Sequence, residues 1–569
     1  MDRRTFLAIA GIFPLAPTLL KGQVQPRDGQ ELVADVVIIG GGVGGVAAAL
    51  SAARAGLQVI VTDENFWIGG QLTAQGVPPD EHPWIEKFGG TKLYRQFRHR
   101  VRQYYKNNYP LTQAAVQNDA LNPGNGNVSQ LCHEPRVALA VLLEMLAPYL
   151  SNQRVRLLNP YSPVGAEVSN DRVQSVQLRH RFLSKKVTLV APYFVDATEL
   201  GDLLELTHTE WVVGAEAQKD TQEPHAPAQA DPNNQQAFTI CFAVDYVPGE
   251  HHVIPKPKEY DFWSRYVPQM TPPWPGKLLS WTMSHPHDPH KPRQVDFHPE
   301  GMADPGTLNL FFYRRIIDKS NFAPGTYRGD ISLINWPQND YWLGNLVGVT
   351  SEEAHHHVMR AKQLSLSLLY WLQTEAPRKD GKTGWPGLRL RGDLFGTEDG
   401  LAEYPYIRES RRILSELTVT EQLVGVEART KLTGQKLGEL TAAQFPDSVG
   451  IGSYRIDLHP STGGNNYIDV SSLPFQIPLG ALIPRRLENL LPACKNIGTT
   501  HITNGCYRLH PVEWNIGESV GHLIAFCQRH QEPPRKVRNS PVLLQQLQKQ
   551  LVQAGIELEW PESVRTKVR

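Results

Sequence analysis

The fold of this chain is decided by the stretch VADVVIIGGGVGG at residues 33–45. The residues just before its glycines form a continuous β-branched run, which is typical of a buried parallel strand. Gly40, Gly42 and Gly45 then satisfy the spacing GxGxxG, and an alanine-rich segment at residues 46–55 predicts a helix. A strand that enters a glycine loop and continues as a helix is the opening of a dinucleotide-binding unit.

Each part of this unit has a predicted role. The first glycine makes a tight turn, the second lets a pyrophosphate approach the backbone, and the third lets the helix pack closely on the sheet. The helix N-terminus supplies amide donors and a positive dipole to the phosphates. A second predicted strand, residues 58–62, ends at Asp63, which lies 23 positions after Gly40. That offset is near the ~20 residues expected of the acid that binds ribose hydroxyls, and Glu64 is the neighbouring alternative.

The composition excludes several other classes of protein. The chain has 569 residues, of which 41% are apolar, and its 57 basic and 57 acidic side chains balance. A neutral chain has no long-range attraction for nucleic acid, and the apolar content is too high for a disordered protein. No apolar run of about 18 or more residues follows the N-terminus, so we expect no integral membrane association. The length predicts about two to four globular units.

The sequence predicts no metal site. The five cysteines are scattered and form no CxxC pair, so a structural zinc or an iron–sulfur cluster is not expected. Three consecutive histidines, His355, His356 and His357, point about 100° apart on a helix and cannot converge on one ion. A further group lies in a proline-rich segment and offers only adventitious ligands: His285, His287, His290 and His298.

The N-terminus predicts an export signal. Arg3 and Arg4 precede Thr5-Phe6-Leu7 and a short apolar run at residues 8–20. Paired arginines before a short apolar segment are typical of a bacterial twin-arginine signal. Because this route carries folded proteins, we expect a protein that acquires its cofactor in the cytoplasm and works in the periplasm or an equivalent extracytoplasmic compartment. Residues 1–30 are therefore treated as signal and linker.

Several later blocks resemble one family, the FAD-dependent oxidoreductases of the glutathione-reductase-like superfamily. A second Gly-Gly pair, Gly69-Gly70, follows Asp63 closely and suits a loop that runs along the same cofactor. The other blocks occur in the family's order over most of the chain, at residues 133–146, 187–203, 406–412, 452–460, 477–493 and 501–521. The resemblance implies FAD as the cofactor.

The resemblance also implies an α/β fold class and a domain organisation. We expect a discontinuous, Rossmann-like FAD-binding domain of the glutathione-reductase type, with an inserted α+β substrate domain. Its two parts are expected at residues 31–213 and 401–530, the insert at residues 214–400, and a C-terminal helical tail at residues 531–569. No second strand–GxGxxG–helix unit is present in the sequence, so a separate nicotinamide domain is not expected.

Six further segments carry specific structural expectations. The resemblance implies one buried strand at residues 187–195, and residues 307–313 are strand-like. Residues 352–373 predict a helix that Ser351 caps. Near the C-terminus we expect a strand at residues 490–493, a glycine-rich loop at residues 498–505 and a helix at residues 511–521, whose N-terminus the resemblance directs at the flavin.

The candidate site residues come from the glycine loop, the ribose acid and the resembling blocks. An arginine can anchor a substrate carboxylate or an anionic flavin, and a histidine can exchange a proton near neutral pH. The candidate catalytic residues are Arg508, His510, His501 and Arg408, and Arg411, Tyr454 and His459 lie in the same blocks. The candidate cofactor-binding residues are Gly40, Gly42, Val43, Gly44, Gly45, Asp63, Glu64, Gly69, Gly70, Gln71, Val164, Ala197 and Gly517.

Two features depart from the family pattern. Cys494-Lys495 stands where relatives more often carry Gly-Arg, and Glu513-Trp514-Asn515 is bulky at the start of the late helix. These changes bear on the flavin contacts and not on the fold.

The function implied is hydride transfer between an unidentified small organic substrate and flavin. Two alternatives remain open: a non-redox FAD-dependent hydratase, isomerase or lyase, and a flavin-binding electron carrier without a substrate of its own. The aromatic-rich middle of the chain argues against the carrier, because it suits an enclosed substrate site. Oxygen, a quinone or a partner protein could each serve as electron acceptor.

Overall fold

The computed structural model describes residues 26–301 and 305–569. At its centre is a parallel sheet of five strands. Their order across the sheet is Leu490–Pro492, Tyr193–Asp196, Val36–Ile39, Val59–Thr62 and Val155–Leu158. Neighbouring strands all run parallel, and every residue of the three middle strands is buried. The prediction of a buried parallel strand before the glycine loop is confirmed.

The strand–loop–helix–strand unit expected from the glycine spacing is present. The strand Val36–Ile39 leads through the loop into the helix Val43–Arg54, called the fingerprint helix below, and then into Val59–Thr62. The strand Leu490–Pro492 pairs with Tyr193–Asp196, so the sheet combines distant parts of the chain. The fold is mixed α/β and is consistent with a Rossmann-like dinucleotide-binding domain.

The helix His510–His530, called the late helix below, packs on the fingerprint helix. A Cβ on Gly517 would lie 2.6 Å from the carbonyl carbon of Gly44. A Cβ on Gly44 would lie 2.8 Å from the carbonyl carbon of Ala493. The neighbouring atoms in both cases belong to the backbone, so the two helices can come this close only because glycine stands at positions 44 and 517. The packing holds the start of the late helix against the glycine loop.

A second hydrophobic core is rich in aromatic residues. Its sheet is antiparallel, in the order Arg315–Ile317, Ile331–Ile334, Phe242–Tyr246 and Leu388–Leu390. The helix Ser351–Thr374 contributes Leu364, Leu368 and Leu372, which are fully buried and recur every four residues, so they share one helix face. This part of the chain thus combines helix and antiparallel sheet, while the domain boundaries at residues 214 and 400 remain predictions.

The remaining elements complete these layers. A third sheet has the strand order Gln30–Val33, Lys186–Val190, Arg172–His180 and Tyr161–Ser169. The other described strands are Trp211–Val212, Phe238–Thr239, Thr282–His285, Asp288–Asp296, Leu308–Asn309, Asp340–Tyr341, Arg412–Ile413, Ser448–Gly452, Ile456–Leu458, Ile468–Val470 and Phe475–Pro478. The other described α-helices are Lys92–Asn108, Gln113–Gln117, Pro135–Ser151, Asp202–Leu206, Gln218–Thr221, Tyr260–Trp263, Leu310–Tyr313, Glu421–Val424, Val426–Thr433, His501–Tyr507, Pro534–Asn539 and Pro541–Ala554.

Two strand predictions were wrong in detail. Residues 187–195 form the ends of two strands in different sheets, Lys186–Val190 and Tyr193–Asp196, because Pro192 between them has no N–H to donate. Residues 307–313 contain only a two-residue strand. The Asn309 side chain accepts a hydrogen bond from the Phe311 N–H and starts a short helix there.

Two helix boundaries also differ from expectation. The predicted glycine-rich loop at residues 498–505 is largely the helix His501–Tyr507, which begins where Thr500 and Thr503 form a reciprocal cap. The helix expected at residues 352–373 runs over Ser351–Thr374, and its cap is Thr350, not Ser351. In both cases a threonine cap fixes the start of the helix.

The sequence predicts a helical tail at the C-terminus and an export signal at the N-terminus. The C-terminal tail is helical over Pro534–Asn539 and Pro541–Ala554, and residues 555–569 contain no helix. Residues 1–25, which carry the predicted twin-arginine signal, lie outside the described residues. Across the part of the chain that is described, no helix combines the length and apolar character needed to cross a bilayer.

Candidate functional site

The glycine loop borders a cavity at the carboxyl ends of the central strands. Gly40 has a φ of +102°, and a Cβ on it would lie 2.5 Å from the Thr198 amide nitrogen. A Cβ on Gly42 would lie 3.0 Å from a carboxylate oxygen of Glu199. The bare loop therefore keeps the entrance to the fingerprint helix open to a ligand. The cavity is lined by Ile39, Gly40, Gly41, Gly42, Thr62, Asp63, Glu64, Asn65, Gly70, Gln75, Tyr161, Pro163, Ala197, Thr198, Glu199 and Asp202.

The predicted ribose acid lies in this cavity. Asp63 accepts hydrogen bonds from the N–H groups of Gly41, at 3.1 Å, and of Asn65, at 2.7 Å. Burial raises the pKa of Asp63 well above its usual value, and burial also raises the pKa of Glu64 to about 7. The two adjacent acids can therefore present protonated or ionised oxygens to hydroxyl groups in the cavity.

Three polar atoms of the cavity lining have no hydrogen-bond partner among the described residues. They are the Tyr161 hydroxyl, Gln75 Oε1 and Glu199 Oε1, and all three are buried. A buried polar atom without a partner is costly, by about 1–3 kcal/mol. One donor and two acceptors that lack partners suit a ligand that itself carries hydroxyl, amino and ring-nitrogen groups, as adenosine does.

The predicted cofactor-binding residues fall into three groups. Those that line the cavity are Gly40, Gly42, Asp63, Glu64, Gly70 and Ala197. Those that hold the helix pair together are Val43, Gly44, Gly45 and Gly517, which begin or contact the fingerprint helix. Gly69 supports the loop by donating from its N–H to the Gly41 carbonyl at 2.6 Å, and Val164 is 37% exposed beside the lining residue Pro163.

Gln71, the last of these residues, joins the glycine loop to the late helix. Its Nε2 donates to Glu513 Oε2 at 2.7 Å and to the Arg508 carbonyl at 3.0 Å. The other Glu513 oxygen accepts from the Gly44 N–H at 3.2 Å. Glu513 thus accepts a hydrogen bond from an N–H group at the start of the fingerprint helix, where the helix dipole favours a negative group. Glu513 belongs to the Glu513-Trp514-Asn515 segment that departs from the family pattern.

A buried lysine balances the acids beneath the loop. Lys495 Nζ contacts Glu199, donates to Cys494 Sγ at 3.2 Å and lies 3.9 Å from Glu513. Burial disfavours the charged form, but Cys494, Glu199 and Glu513 together raise the pKa of Lys495 well above its usual value. Glu199, Cys494 and Glu513 bring three possible metal ligands within 4.8 Å of one another. The ammonium already supplies the positive charge that a metal would bring there.

A second group of polar residues surrounds the side chain of Tyr406. Arg508 Nη1 donates to the Tyr406 hydroxyl at 3.0 Å, and the Arg408 guanidinium lies 4.8 Å from the centre of the Tyr406 ring. Arg408 Nη2 is 3.0 Å from Asp340, and Arg508 Nη2 donates to the Asp457 carbonyl at 3.0 Å. Two of the predicted catalytic residues, Arg408 and Arg508, therefore meet at one place.

His510 lies beside an ion pair that sequence reasoning missed. Its Nδ1 accepts from the Asp80 N–H at 3.1 Å, and the Asp80 carboxylate accepts from Arg314 Nη1 at 3.2 and 3.3 Å. Burial lowers the pKa of His510 to about 3, and the charge of Arg314 contributes. The imidazole is therefore neutral, and its hydrogen is on Nε2 because Nδ1 acts as an acceptor.

His459 is oriented by a buried carboxylate. Its Nδ1 lies 2.6 Å from Asp340, whose side chain has no exposed surface. Burial alone would raise the pKa of Asp340, but Arg408 and His459 lower it to about 2. The second ring nitrogen, Nε2, is 3.8 Å from Asp457, which is too far for a hydrogen bond. The His459 side chain remains 19% exposed, so Nε2 has both a fixed position and room for a partner.

These residues form one group, called the polar cluster below. Arg314, Tyr406 and Arg508 are buried, whereas Tyr313, Tyr454, Asp457 and His459 are half-buried and form the accessible part of the cluster. Charges within the cluster affect one another: Asp80 and Asp457 add to the burial that raises the pKa of Tyr454 well above its usual value. The tyrosines therefore stay protonated and can donate.

His501, a predicted catalytic residue, lies in a different cluster. Its Nδ1 is 3.0 Å from Glu409, and Arg412 bridges Glu409 at 2.6 Å and Glu216 at 2.7 Å. Burial alone would raise the pKa of Glu409, but His501 and Arg412 lower it to about 2. Arg412 Nη2 also donates to the Gly214 carbonyl. This buried network ties residues 214–216 to the later part of the chain, and the catalytic role of His501 stays a prediction.

Sequence reasoning found the cations of the polar cluster and missed most of its anions. Asp80 and Arg314 are far apart in the sequence, and neither lies in a recognisable motif. Asp340 and Asp457 likewise reach their partners only through the fold. Tyr406 could have been predicted from the sequence, because it stands two positions before Arg408 in the same block.

The first site fits the adenosine diphosphate half of FAD. A Cβ on any glycine of the loop would crowd neighbouring atoms. Asp63 follows the second strand, and three buried polar atoms of the lining have no partner among the described residues. The fingerprint helix begins at this cavity, so its N-terminus can favour a pyrophosphate. Gln71 connects this site with the backbone of Arg508 in the polar cluster.

Similarity to solved structures is distant. A variant of E. coli quinol fumarate reductase is 11% identical over 92% of this chain and 74% of that chain, with a TM-score of 0.30. L-proline dehydrogenase from P. horikoshii is 17% identical over 34% of this chain and 26% of its own, with a TM-score of 0.18. Glycerol-3-phosphate dehydrogenase from Bacillus halodurans, complexed with FAD, is 14% identical over 37% of this chain and 39% of its own, with a TM-score of 0.20.

These three likenesses carry no conclusion about activity, because the TM-scores are low and the chain spans well under half the length of both dehydrogenases. No curated protein matches the chain.

A family model gives a much broader match. The model described as FAD dependent oxidoreductase matches residues 35–551. The matched range contains the glycine loop, the second core and the late helix, and therefore every residue of both sites. The cofactor is FAD. The chain belongs to the FAD-dependent oxidoreductase family.

Proposed function

We propose that the protein transfers a hydride between a small organic substrate and FAD, in a fold of the glutathione-reductase type with an inserted substrate domain. Family membership supports the redox chemistry. The observation that carries the proposal further is the position of His459, which Asp340 orients in the accessible part of the polar cluster. Oxidation of a C–H bond next to oxygen or nitrogen also requires removal of a proton, and a fixed histidine supplies the acceptor.

FAD, when bound, supplies the two-electron acceptor or donor. His459 donates from Nδ1–H to Asp340, so Nε2 is left to take a proton from the substrate or return it. Asp340 remains ionised because its pKa is about 2, and its charge stabilises the protonated ring. The pair therefore acts as an oriented acid or base.

A chain of hydrogen bonds supports placing the substrate next to the cofactor. It runs from the Gly44 N–H through Glu513 and Gln71 to the Arg508 carbonyl. Arg508 continues it to the Tyr406 hydroxyl in the polar cluster. The glycine loop and the polar cluster are thus joined by direct contacts, which supports placing the substrate near the cofactor.

We also propose that the protein works outside the cytoplasm. Support comes from Arg3 and Arg4 ahead of a short apolar run. Oxygen, a quinone or a partner protein would then reoxidise the flavin. Replacement of both arginines by lysine is expected to keep the protein in the cytoplasmic fraction, and unchanged fractionation would contradict this placement.

The hydride-transfer proposal is tested with the holoenzyme under anaerobic conditions. Amines, hydroxy acids and sugars are screened for bleaching of the oxidised flavin absorption. With a substrate in hand, His459→Asn is expected to slow flavin reduction about 10²-fold or more, while the exposed-site control His290→Asn leaves it unchanged. If dithionite reduces the flavin but none of these classes does, the non-redox alternatives gain support. An unaffected His459→Asn would remove the assigned role of this residue.

A further inference from the structure

The three buried arginines near Tyr406 differ in how many of their donors are used. In Arg408 both terminal nitrogens are engaged: Nη1 donates to a backbone carbonyl and a threonine hydroxyl at 2.9 Å, and Nη2 pairs with Asp340. In Arg508 both terminal nitrogens are engaged as well, with Tyr406 and the Asp457 carbonyl. Nε is buried and has no partner among the described residues in all three arginines, so the terminal nitrogens make the difference. These two side chains are held in place by the protein itself.

Arg314 is different, because one whole edge of its guanidinium is free. Nη1 donates to both oxygens of Asp80. Neither Nε nor Nη2 donates to any described residue, and Nε is fully buried. The Nε and Nη2 hydrogens point the same way and form the fork that binds a carboxylate through two parallel hydrogen bonds. About a tenth of the Arg314 side-chain surface remains accessible, and because Nε is itself covered, a ligand reaches the fork from the Nη2 end.

The surroundings of Arg314 suit the same ligand. Its guanidinium lies 5.1 Å from the centre of the Tyr313 ring. Burial raises the pKa of Tyr313, and burial with the nearby carboxylates raises the pKa of Tyr454, so both phenols keep their protons and can donate. Both are half-buried, as is His459.

The charges of the cluster favour a single negative charge on the ligand. Asp80 pairs with Arg314, Asp340 with Arg408, and Asp457 lies 3.6 Å from Arg508. The formal charges of these arginines and acids cancel. A dianion would therefore bring twice the uncompensated charge of a single carboxylate into the cluster, so a monoanion is favoured.

We infer that the substrate is a small organic acid and that the free edge of Arg314 binds its carboxylate. The inference rests on the proposed function, since it names the substrate class for the same site. Arg314 fixes the acid group, and the remainder of the molecule lies toward His459. No sequence motif marks Arg314, which is why only the arrangement of its donors identifies it.

The test uses the FAD-loaded protein and carboxylates that cannot be oxidised there. Acetate and benzoate are titrated while the flavin absorption spectrum and the melting temperature are recorded, with acetamide and benzamide as neutral isosteres. We expect saturable changes with the acids and at least tenfold weaker binding of the amides. Ligand binding to the native state raises the melting temperature in proportion to occupancy. Inorganic phosphate is expected to bind at least tenfold more weakly than acetate.

The variant Arg314→Lys keeps a charge for Asp80 but removes the fork. It is expected to retain FAD and to weaken acetate and benzoate binding at least tenfold. The matched control Arg328→Lys changes a surface arginine paired with Glu250 and should leave binding within twofold. Equal binding by Arg314→Lys, equal binding of the amides, tighter binding of phosphate, or no response to either acid would each overturn the inference. A protein that takes up no FAD would instead contradict the function on which the inference rests.

Discussion

Gly517→Ala is the perturbation whose outcome follows most directly from the packing of the two long helices. A Cβ at this position would lie 2.6 Å from the carbonyl carbon of Gly44 and 2.7 Å from its Cα. The Gly44 carbonyl oxygen would be closer still, and ordinary contact begins at 3.4 Å, so the late helix and the fingerprint helix must separate by about 1.5 Å. None of these atoms belongs to a side chain that could rotate away.

The expected cost is at the upper end of the range for overpacking, about 3 kcal/mol. Separation of the helices would also move Glu513 away from the Gly44 N–H, so flavin retention should fall together with stability. Urea unfolding measures the first effect through the midpoint, and the ratio of flavin to protein absorption measures the second.

Gly438→Ala is the matched control, because a Cβ there meets no atom within 4 Å. It is expected to change the free energy of unfolding by less than about 0.5 kcal/mol. If Gly517→Ala were as stable as this control and kept its flavin, the close approach of the helices would be refuted, and with it the account of how the late helix is positioned.

Three further outcomes are expected. Lys495→Met leaves Glu199 and Glu513 without a cation and should destabilise the protein by about 3–5 kcal/mol, measured by urea unfolding against the exposed-site control Lys291→Met. Asp340→Asn should retain FAD but slow flavin reduction by a substrate, measured by anaerobic absorption, because His459 loses the negative charge that stabilises its protonated ring. The pKa of His510 is about 3 in the folded protein and about 6.5 in the unfolded chain. The neutral ring therefore contributes fully to the free energy of unfolding above pH 6.5. This contribution is lost as the pH falls toward 3, by about 1.4 kcal/mol per pH unit. His510→Gln should flatten the loss of stability between pH 6.5 and 4.5, measured from urea midpoints.

Each of these outcomes has a clear opposite. A stable Lys495→Met protein would show that the acids beneath the loop are protonated and need no cation. An Asp340→Asn protein with undiminished flavin reduction would separate His459 from the chemistry. An unchanged pH dependence in His510→Gln would mean that other buried histidines, such as His133 with a folded pKa of about 4, account for the acid sensitivity.

The dinucleotide-binding unit could be predicted from sequence because its information is local. Strand, glycine loop, helix and acid follow one another within about 30 residues, and each requires a particular residue type. The strand boundaries at Pro192 and Asn309 were missed for the opposite reason. There a single residue, by lacking an N–H or by capping a helix, overrides the apolar pattern around it.

The polar cluster was predicted only in part, because charge partners come from distant segments. Arg408 and Arg508 stood out as cations in resembling blocks, yet the structure uses most of their donors to hold Tyr406, Asp340 and Asp457. His501 looked equivalent to His510 in sequence, but Glu409 and Arg412 engage it in a separate buried network. A polar side chain is free for a ligand only if its neighbours leave its donors or acceptors unused. The fold decides which residues become those neighbours.

The central claim is that the cavity beside the glycine loop holds FAD, and the flavin content of the purified protein tests it most directly. Protein produced with riboflavin supplementation is denatured, and the released flavin is identified and counted by absorption and chromatography. We predict close to one FAD per chain, with none in Gly42→Val, whose branched Cβ would enter the ligand's path beside Glu199. A folded protein that contains no flavin and takes up none when FAD is added would contradict the account.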